Sequence, residues 1–216
     1  TDDENKCLYS NGKWYLFNDD YLAYLDASMK EIEAFYHSQY DFNATIHNRF
    51  IEEMYELEKD NEYAGNTKDF SVEALRKRYY AEHCFNLIRQ KEGTFICYDR
   101  ENIAAGYEKM DLYEKNTATM FAVKKGKASS TLCYAVDQSL TALKMYKQDK
   151  TPDWPEIKNV GLWFILEIKT PLHTDEQNKV DLSSLNMLML KNRLDHWKKE
   201  VRLAGFKPIV YINYRT

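Results

Sequence analysis

Ala118-Thr119-Met120-Phe121-Ala122-Val123-Lys124-Lys125-Gly126-Lys127-Ala128-Ser129-Ser130-Thr131-Leu132 is the stretch on which the fold turns. Its first part is a short apolar run, which predicts a strand over Ala118–Lys124, and Gly126 follows as punctuation. Its second part opens a helix. Ser129 and Ser130 can accept from orphan N–H groups, and Leu132, Val136, Leu140 and Leu143 recur at spacings of 4, 4 and 3. A strand feeding directly into a helix is the first half of a β-α-β crossover. The second half follows at Val160–Ile168, a nearly continuous apolar run that predicts a strand buried on both faces.

On the N-terminal side the pattern predicts a helix over 71–90, with Ala81, Cys84, Phe85 and Ile88 on one stripe. Strands are predicted at Thr94–Tyr98 and Tyr107–Tyr113. On the C-terminal side Met187, Leu190, Leu194, Trp197 and Val201 predict a helix at about 184–204. Gly205 stands where a helix C-cap glycine belongs, and Pro208–Asn213 predicts a closing strand. The resulting order is α-β-β-β-α-β-α-β. A meander followed by helical crossovers predicts an α/β fold: a mixed β-sheet flanked by helices. The same order belongs to the restriction-endonuclease-like core, which is the architecture expected here.

Ahead of this core, Lys13–Phe17 predicts a short strand. Leu22, Leu25, Met29, Ile32 and Tyr36 predict a helix begun at Asp19 or Asp20, and a second helix is expected from Ile46 to Lys59. Asn61–Asn66 is the expected boundary loop. The chain thus divides into an acidic strand and helical region, 1–66, and an α/β core, 67–216.

The 216 residues suit one core, and the 7 Gly and 4 Pro exclude a collagen-like or linker-dominated chain. Mean hydropathy of −0.67 and no apolar run near about 18 residues argue against a membrane-spanning helix. Cys7, Cys84, Cys97 and Cys133 form no C-x-x-C, so neither zinc nor redox spacing is present. With no signal-peptide character at the start, a reducing, cytoplasmic setting is expected. The missing initiator Met suggests processing or excision from a longer chain. The net charge of −4 hides an asymmetry: residues 1–70 hold 16 Asp+Glu against 6 Lys+Arg, leaving 18 against 24 for the remainder. The second part is therefore net basic and suited to phosphate. The alternative is that the N-terminal helices merely carry acidic solvent faces.

Nucleases of the restriction-endonuclease-like core place an Asp on the second strand and an acid-x-Lys on the third. Carboxylates hold a hard divalent cation there, while the lysine steadies the attacking water and the phosphate charge. Asp111 and Lys124 fall at those places, but Ala122 stands where the acid belongs. Glu82, Glu108 or Glu114 would have to substitute, and Glu82 is taken as the second Mg²⁺ ligand beside Asp111. Lys124, Lys125, Lys127, Ser129, Ser130 and Thr131 gather cations and hydroxyls at a helix start, where free N–H groups and the helix dipole favour anions. Gln138, two turns beyond Thr131, could support the lysine. Surface charges and helix capping would explain the same residues without a ligand. A literal P-D…E-x-K also occurs at Pro152-Asp153 and Glu167-Ile168-Lys169, although the flanking prolines suit a central strand poorly. The five histidines, 37, 47, 83, 173 and 196, show no ligand spacing and receive no metal or base role. The 17 Tyr offer stacking faces for bases or packing for the core.

Lys13-Trp14-Tyr15, the Tyr80…Asn86 helix, Glu108-x-x-Asp111-Leu112, Val123-Lys124…Ser129-Ser130-Thr131-Leu132…Gln138 and Leu203-Ala204-Gly205-Phe206 together carry a resemblance. The chain resembles a sporadically distributed bacterial family of unknown function. Members share an acid-x-x-Asp-Leu strand, a His-Val-Lys strand, a Ser-Ser-Thr-Leu helix start and a closing helix with a Gly-aromatic turn. The resemblance spans most of the chain, in order, through short motifs. The family's His before Val-Lys is Ala122 here, its Gln-Gly is Gln138-Ser139, and its Ser-His-Leu-Phe is Cys133-Tyr134-Ala135-Val136. It implies a restriction-endonuclease-like core in phage defence or a mobile element. Members tend to be longer, which implies that this chain is the C-terminal part of a longer one; a homodimer is the other arrangement left open.

The expected function is therefore nucleic-acid binding, DNA rather than RNA, with Mg²⁺-dependent phosphodiester cleavage if the incomplete acid-x-Lys motif is sufficient. The alternative is a non-catalytic protein-interaction domain that keeps the fold.

Overall fold

The structure, a computed structural model, describes residues 2–3, 5–59, 70–99, 102–103, 107–148 and 154–215, with only the backbone of 102, 103, 107 and 108. In chain order these form strands β1 (Cys7–Ser10) and β2 (Lys13–Leu16), helix α1 (Asp19–Lys30), β3 (Glu33–Tyr36), and helices α2 (Ala44–Glu58), α3 (Val72–Arg78) and α4 (Ala81–Lys91). Then come β4 (Phe95–Cys97), β5 (Asn102–Ile103), β6 (Tyr107–Glu108), β7 (Leu112–Glu114), β8 (Thr119–Gly126), α5 (Ser129–Gln148), β9 (Asn159–Leu166), α6 (Leu188–Leu203) and β10 (Lys207–Tyr214).

A six-stranded mixed sheet in the order β3-β10-β9-β8-β7-β4 is the centre of the molecule. β8, β9, β10 and β3 run parallel, while β7 and β4 add antiparallel on the other side. The β8-α5-β9 and β9-α6-β10 crossovers are those the sequence predicts. β9 is buried throughout from Val160 to Leu166, as a strand covered on both faces must be. Successive side chains alternate between the faces. Met120, Ala122, Leu162, Phe164, Val210 and Ile212 pack with α5, α6 and the end of α1. Phe121, Val123, Trp163 and Ile165 pack with residues of α2, α3 and α4. Gly161 makes the second face work: a Cβ there would stand 2.3 Å from the Phe121 ring, so only glycine lets that ring lie across β9.

Three local expectations are corrected. The helix predicted through Tyr36 ends at Lys30, and Glu33–Tyr36 becomes β3, paired parallel with β10. Ile32 and Tyr36 fit the 3-4 rhythm, but with Ala34 they also satisfy period 2, and pairing with an available strand edge decided between the two. The single helix expected over 71–90 breaks at Tyr79 and Tyr80 into α3 and α4. The strand expected over Tyr107–Tyr113 divides: β6 pairs with β5 in a separate hairpin, and β7 begins at Leu112. Residues 1–66 contribute β3 to the main sheet and Phe42, Phe50 and Ile51 to its second face.

α1 is bound to α6 through a partly buried polar seam. Asp195 accepts from Ser28 Oγ at 2.5 Å, Tyr24 OH at 3.0 Å and Lys199 Nζ at 2.7 Å, while Lys198 reaches Ser28 Oγ at 2.7 Å. Burial alone would raise the Asp195 carboxyl, but the hydrogen bonds from Lys199, Ser28 and Tyr24 outweigh it and hold the group below the usual range. A carboxylate depressed in the folded state contributes stability that is complete above its unfolded pKa and lost as pH falls through the folded one. Wild-type stability in urea is therefore expected to fall as pH drops below about 4, and Asp195→Asn, weaker at neutral pH, to fall less over that window. Equal losses in both proteins would remove Asp195 from the acid response.

Candidate functional site

β7 and β8 part at Asp111. Leu112 still faces Phe121, and Asp111 gives its N–H to Phe121 O at 3.0 Å while its carbonyl accepts from Tyr98 N at 2.9 Å. Beyond this point the ladder with β7 stops, yet β8 runs on to Gly126. Alternate N–H groups of β8, those of Val123 and Lys125, face the side that β7 has left. Two carboxylates take them. Asp111 Oδ2 accepts from Val123 N at 2.6 Å, and Glu82 Oε1 accepts from Lys125 N at 3.0 Å. Two residues of strand separate these N–H groups, about 6.6 Å at the usual rise. Asp111 is thus one residue outside β7 rather than on the second strand as expected, because its side chain replaces the bond that the departing backbone would have made.

Glu82 reaches β8 from the first turn of α4, where an acid is favoured by the helix dipole. Its other oxygen, Oε2, lies 2.9 Å from Lys124 Nζ, and both side chains are only about a fifth exposed (19% and 22%). A pair so shielded is screened less by salt than one on the open surface. The Lys124 ammonium also lies 5.4 Å from the Tyr134 ring centre on α5. Lys125 pairs with Glu167 at 3.1 Å, just past the end of β9, and Arg215, just past β10, pairs with the same carboxylate. The hydrogen bond from Arg215, and after it that from Lys125, outweighs burial and holds Glu167 below the usual carboxylate range. Charged groups therefore line the carboxyl ends of β8, β9 and β10, the edge at which open α/β sheets bind ligands.

The other expected site residues are distributed unevenly. Lys127 and Ser130 are exposed, while Ser129 is half-buried with its Oγ 3.5 Å from Asp3 Oδ2. All three stand at the turn into α5 or within its first turn, beside Lys125. Gln138 shares a helix face with Tyr134 but lies one turn, about 6 Å, farther from Lys124. Ala122 is 5% exposed and packs in the core below α5, so no donor stands at the acid-x-Lys position. Of the second motif, Asp153 lies outside the described residues. Glu167 is held by Lys125 and Arg215, and Lys169 is exposed beyond β9.

One constellation went unread in the sequence. His83, Cys97 and Asp99 bring ligand atoms within 4.8 Å of one another, beside Glu82 on α4 and at the end of β4. His83 Nδ1 and Asp99 Oδ2 are 2.6 Å apart, with side chains 11% and 3% exposed. Tyr80 OH and Asn86 Nδ2 both donate toward the Asp99 carboxylate, at 3.4 and 3.3 Å. The sequence offered only the i, i+2 pair Cys97 and Asp99, with His83 far upstream.

Among the described residues no helix is long and apolar enough to cross a membrane. No curated protein and no solved structure matches the chain. Residues 1–156 match the sequence profile of a family of unknown function, DUF6119, and this covers the strand, the Lys124 site and the start of α5 just described. The chain belongs to that family.

Proposed function

We propose that this chain is a nucleic-acid-binding domain on a restriction-endonuclease-like core, with Asp111, Glu82 and Lys124 forming a phosphodiester site. The observation that carries the reading is the placement of Glu82, Lys124 and Asp111 along the edge of β8 that β7 has left. The order α4-β4-β7-β8-α5-β9-α6-β10, a meander followed by parallel crossovers, supports the core. The phage-defence or mobile-element setting rests on the patchy distribution of the family the sequence resembles.

The residues suit Mg²⁺ at the level of donor chemistry. A carboxylate has about four acceptor sites, and the contacts with Val123 N, Lys125 N and Lys124 Nζ occupy part of that capacity. Mg²⁺ commonly takes one or two carboxylates and completes its shell with water and phosphate. When bound, the ion would supply charge neutralisation at the phosphoryl oxygens and a more acidic water. The chain's own residues do the rest. Lys124, partly released from Glu82, faces a phosphate oxygen. Lys127, Ser129, Ser130 and the first N–H groups of α5 hold the neighbouring backbone. Lys125, tied to Glu167, orients this turn while adding charge.

The test is binding of fluorescent DNA and RNA over a salt series. Lys125→Glu with Lys127→Glu is expected to weaken both, and to flatten the dependence of log K on log salt by about 2. Unchanged affinity would remove nucleic acid from the reading. A second reading, a non-catalytic protein-interaction domain, is favoured by Ala122, which leaves β8 without its acid. It predicts that neither Mg²⁺ nor Mn²⁺ supports cleavage.

A further inference from the structure

We infer that His83, Cys97 and Asp99 form a binding site for a borderline-soft divalent cation, Zn²⁺, distinct from the Asp111 and Glu82 carboxylates and independent of the nucleic-acid reading. The geometry carries this. One imidazole nitrogen, one sulfur and one carboxylate oxygen lie within 4.8 Å of one another, contributed by α4, the last residue of β4 and the turn beyond it. Bonds of about 2.0–2.3 Å to Zn²⁺ would draw these atoms to tetrahedral edges of roughly 3.3–3.7 Å. That requires a movement of about an ångström in side chains only. The donor set selects the ion: sulfur and imidazole suit Zn²⁺, whereas Mg²⁺ and Ca²⁺ require oxygen.

The surroundings are those of a built site. The Asp99 side chain is 3% exposed, too shielded to be a casual surface carboxylate. Asn86 is 1% exposed and donates from Nδ2 to Asp99 Oδ2, while its own Oδ1 has no hydrogen-bond partner. A buried amide oxygen left so is costly unless something else meets it. Tyr80 OH and Asn86 Nδ2 supply the outer hydrogen bonds that usually orient a ligating carboxylate. His83 Nδ1 and Asp99 Oδ2 are hydrogen-bonded at 2.6 Å. Zn²⁺ at Nδ1 would leave the imidazole proton on Nε2 and release any second one to solvent, and the Cys97 thiol would lose its own proton to solvent on coordination. Three protein donors leave the fourth position to water.

Cobalt(II) provides the test, because a thiolate ligand produces a near-ultraviolet charge-transfer band that imidazole and carboxylate do not. The full chain is expected to bind one Co²⁺ with this band, and Zn²⁺ is expected to displace it. The band should vanish in Cys97→Ser and persist in Cys133→Ala. His83→Gln and Asp99→Asn should each weaken Zn²⁺ binding at least about tenfold. In the wild-type chain Zn²⁺ should also protect Cys97 from alkylation, as read by peptide mass. Absence of the band in wild type, its persistence in Cys97→Ser, or alkylation of Cys97 at the same rate with and without Zn²⁺ overturns the inference. None of these readouts involves nucleic acid, so this site and the phosphodiester site stand or fall separately.

Discussion

Trp163→Ala is expected to cost about 3–5 kcal/mol of unfolding free energy, the largest stability loss of any substitution considered in this chain. The side chain is fully buried on β9 and is ringed by Tyr40, Phe85, Phe95, Phe121 and Tyr211, with ring centres 5.0–5.5 Å away. Alanine leaves a cavity whose walls belong to three other strands, α4 and the turn after β3, so no single element can move in to fill it. The indole N–H also donates to Asn213 Oδ1 at 2.9 Å, and Asn213 is 1% exposed. Its loss leaves that oxygen without the indole donor, which accounts for about 1–3 kcal/mol of that total. For a chain of this size the melting temperature should fall by roughly 6–20 °C. Trp163→Phe, which keeps most of the ring contact but not the donor, should cost much less. Urea unfolding of the three proteins checks the order; a loss under about 2 kcal/mol for alanine would show that the aromatic face closes on itself.

The same strand explains which parts of the fold were legible. β8, α5, β9 and α6 announce themselves because each has one period and one burial pattern: continuous apolar for strands covered twice, 3-4 spacing for helices covered once. β3 did not, since Ile32 and Tyr36 fit a helical as well as a strand period. What makes them a strand is the free edge of β10, a partner more than 170 residues away in sequence. The break between α3 and α4 carries no Gly or Pro. It is set by contacts instead: His47 Nε2 meets Tyr79 O at 2.7 Å, and Tyr79 OH donates to Glu58 at 2.6 Å.

For the site, residue types and order were readable, and pairings were not. Glu82 pairs with Lys124, and Asp111 binds the residue before it on β8, Val123. That Glu82 would hold a backbone N–H as well as a lysine depends on where β7 leaves β8, a tertiary event. The pairing matters for electrostatics. Lys124 and Lys125 each face a carboxylate, Glu82 and Glu167, so the positive balance of the later residues overstates the positive potential at β8. Under the proposed function, Lys127, exposed at the turn, would carry more of the attraction to phosphate than its neighbours. His83 and Asp99 were hidden for a related reason: they are 16 residues apart and are joined only when β4 runs back along α4.

Asp111 has two jobs under the proposed function, and one pair of substitutions separates them. Its Oδ2 replaces a strand partner for Val123 N–H, a buried donor. Asp111→Ala leaves that donor without an acceptor and is expected to cost about 1–3 kcal/mol. Asp111→Asn keeps an amide oxygen at the same place, so its stability should lie within about 1 kcal/mol of wild type. The charge, however, is gone, and a hard cation depends on it. Asparagine should therefore lower Mg²⁺-dependent cleavage at least about a hundredfold in a protein that still melts normally and still binds nucleic acid through Lys127 and the start of α5. Alanine should lose both properties. If asparagine cleaves as well as wild type, Asp111 is only a substitute for the missing strand partner. Glu82 is then an equivalent substitute at Lys125, and the end of β8 is a surface shaped for binding rather than for hydrolysis.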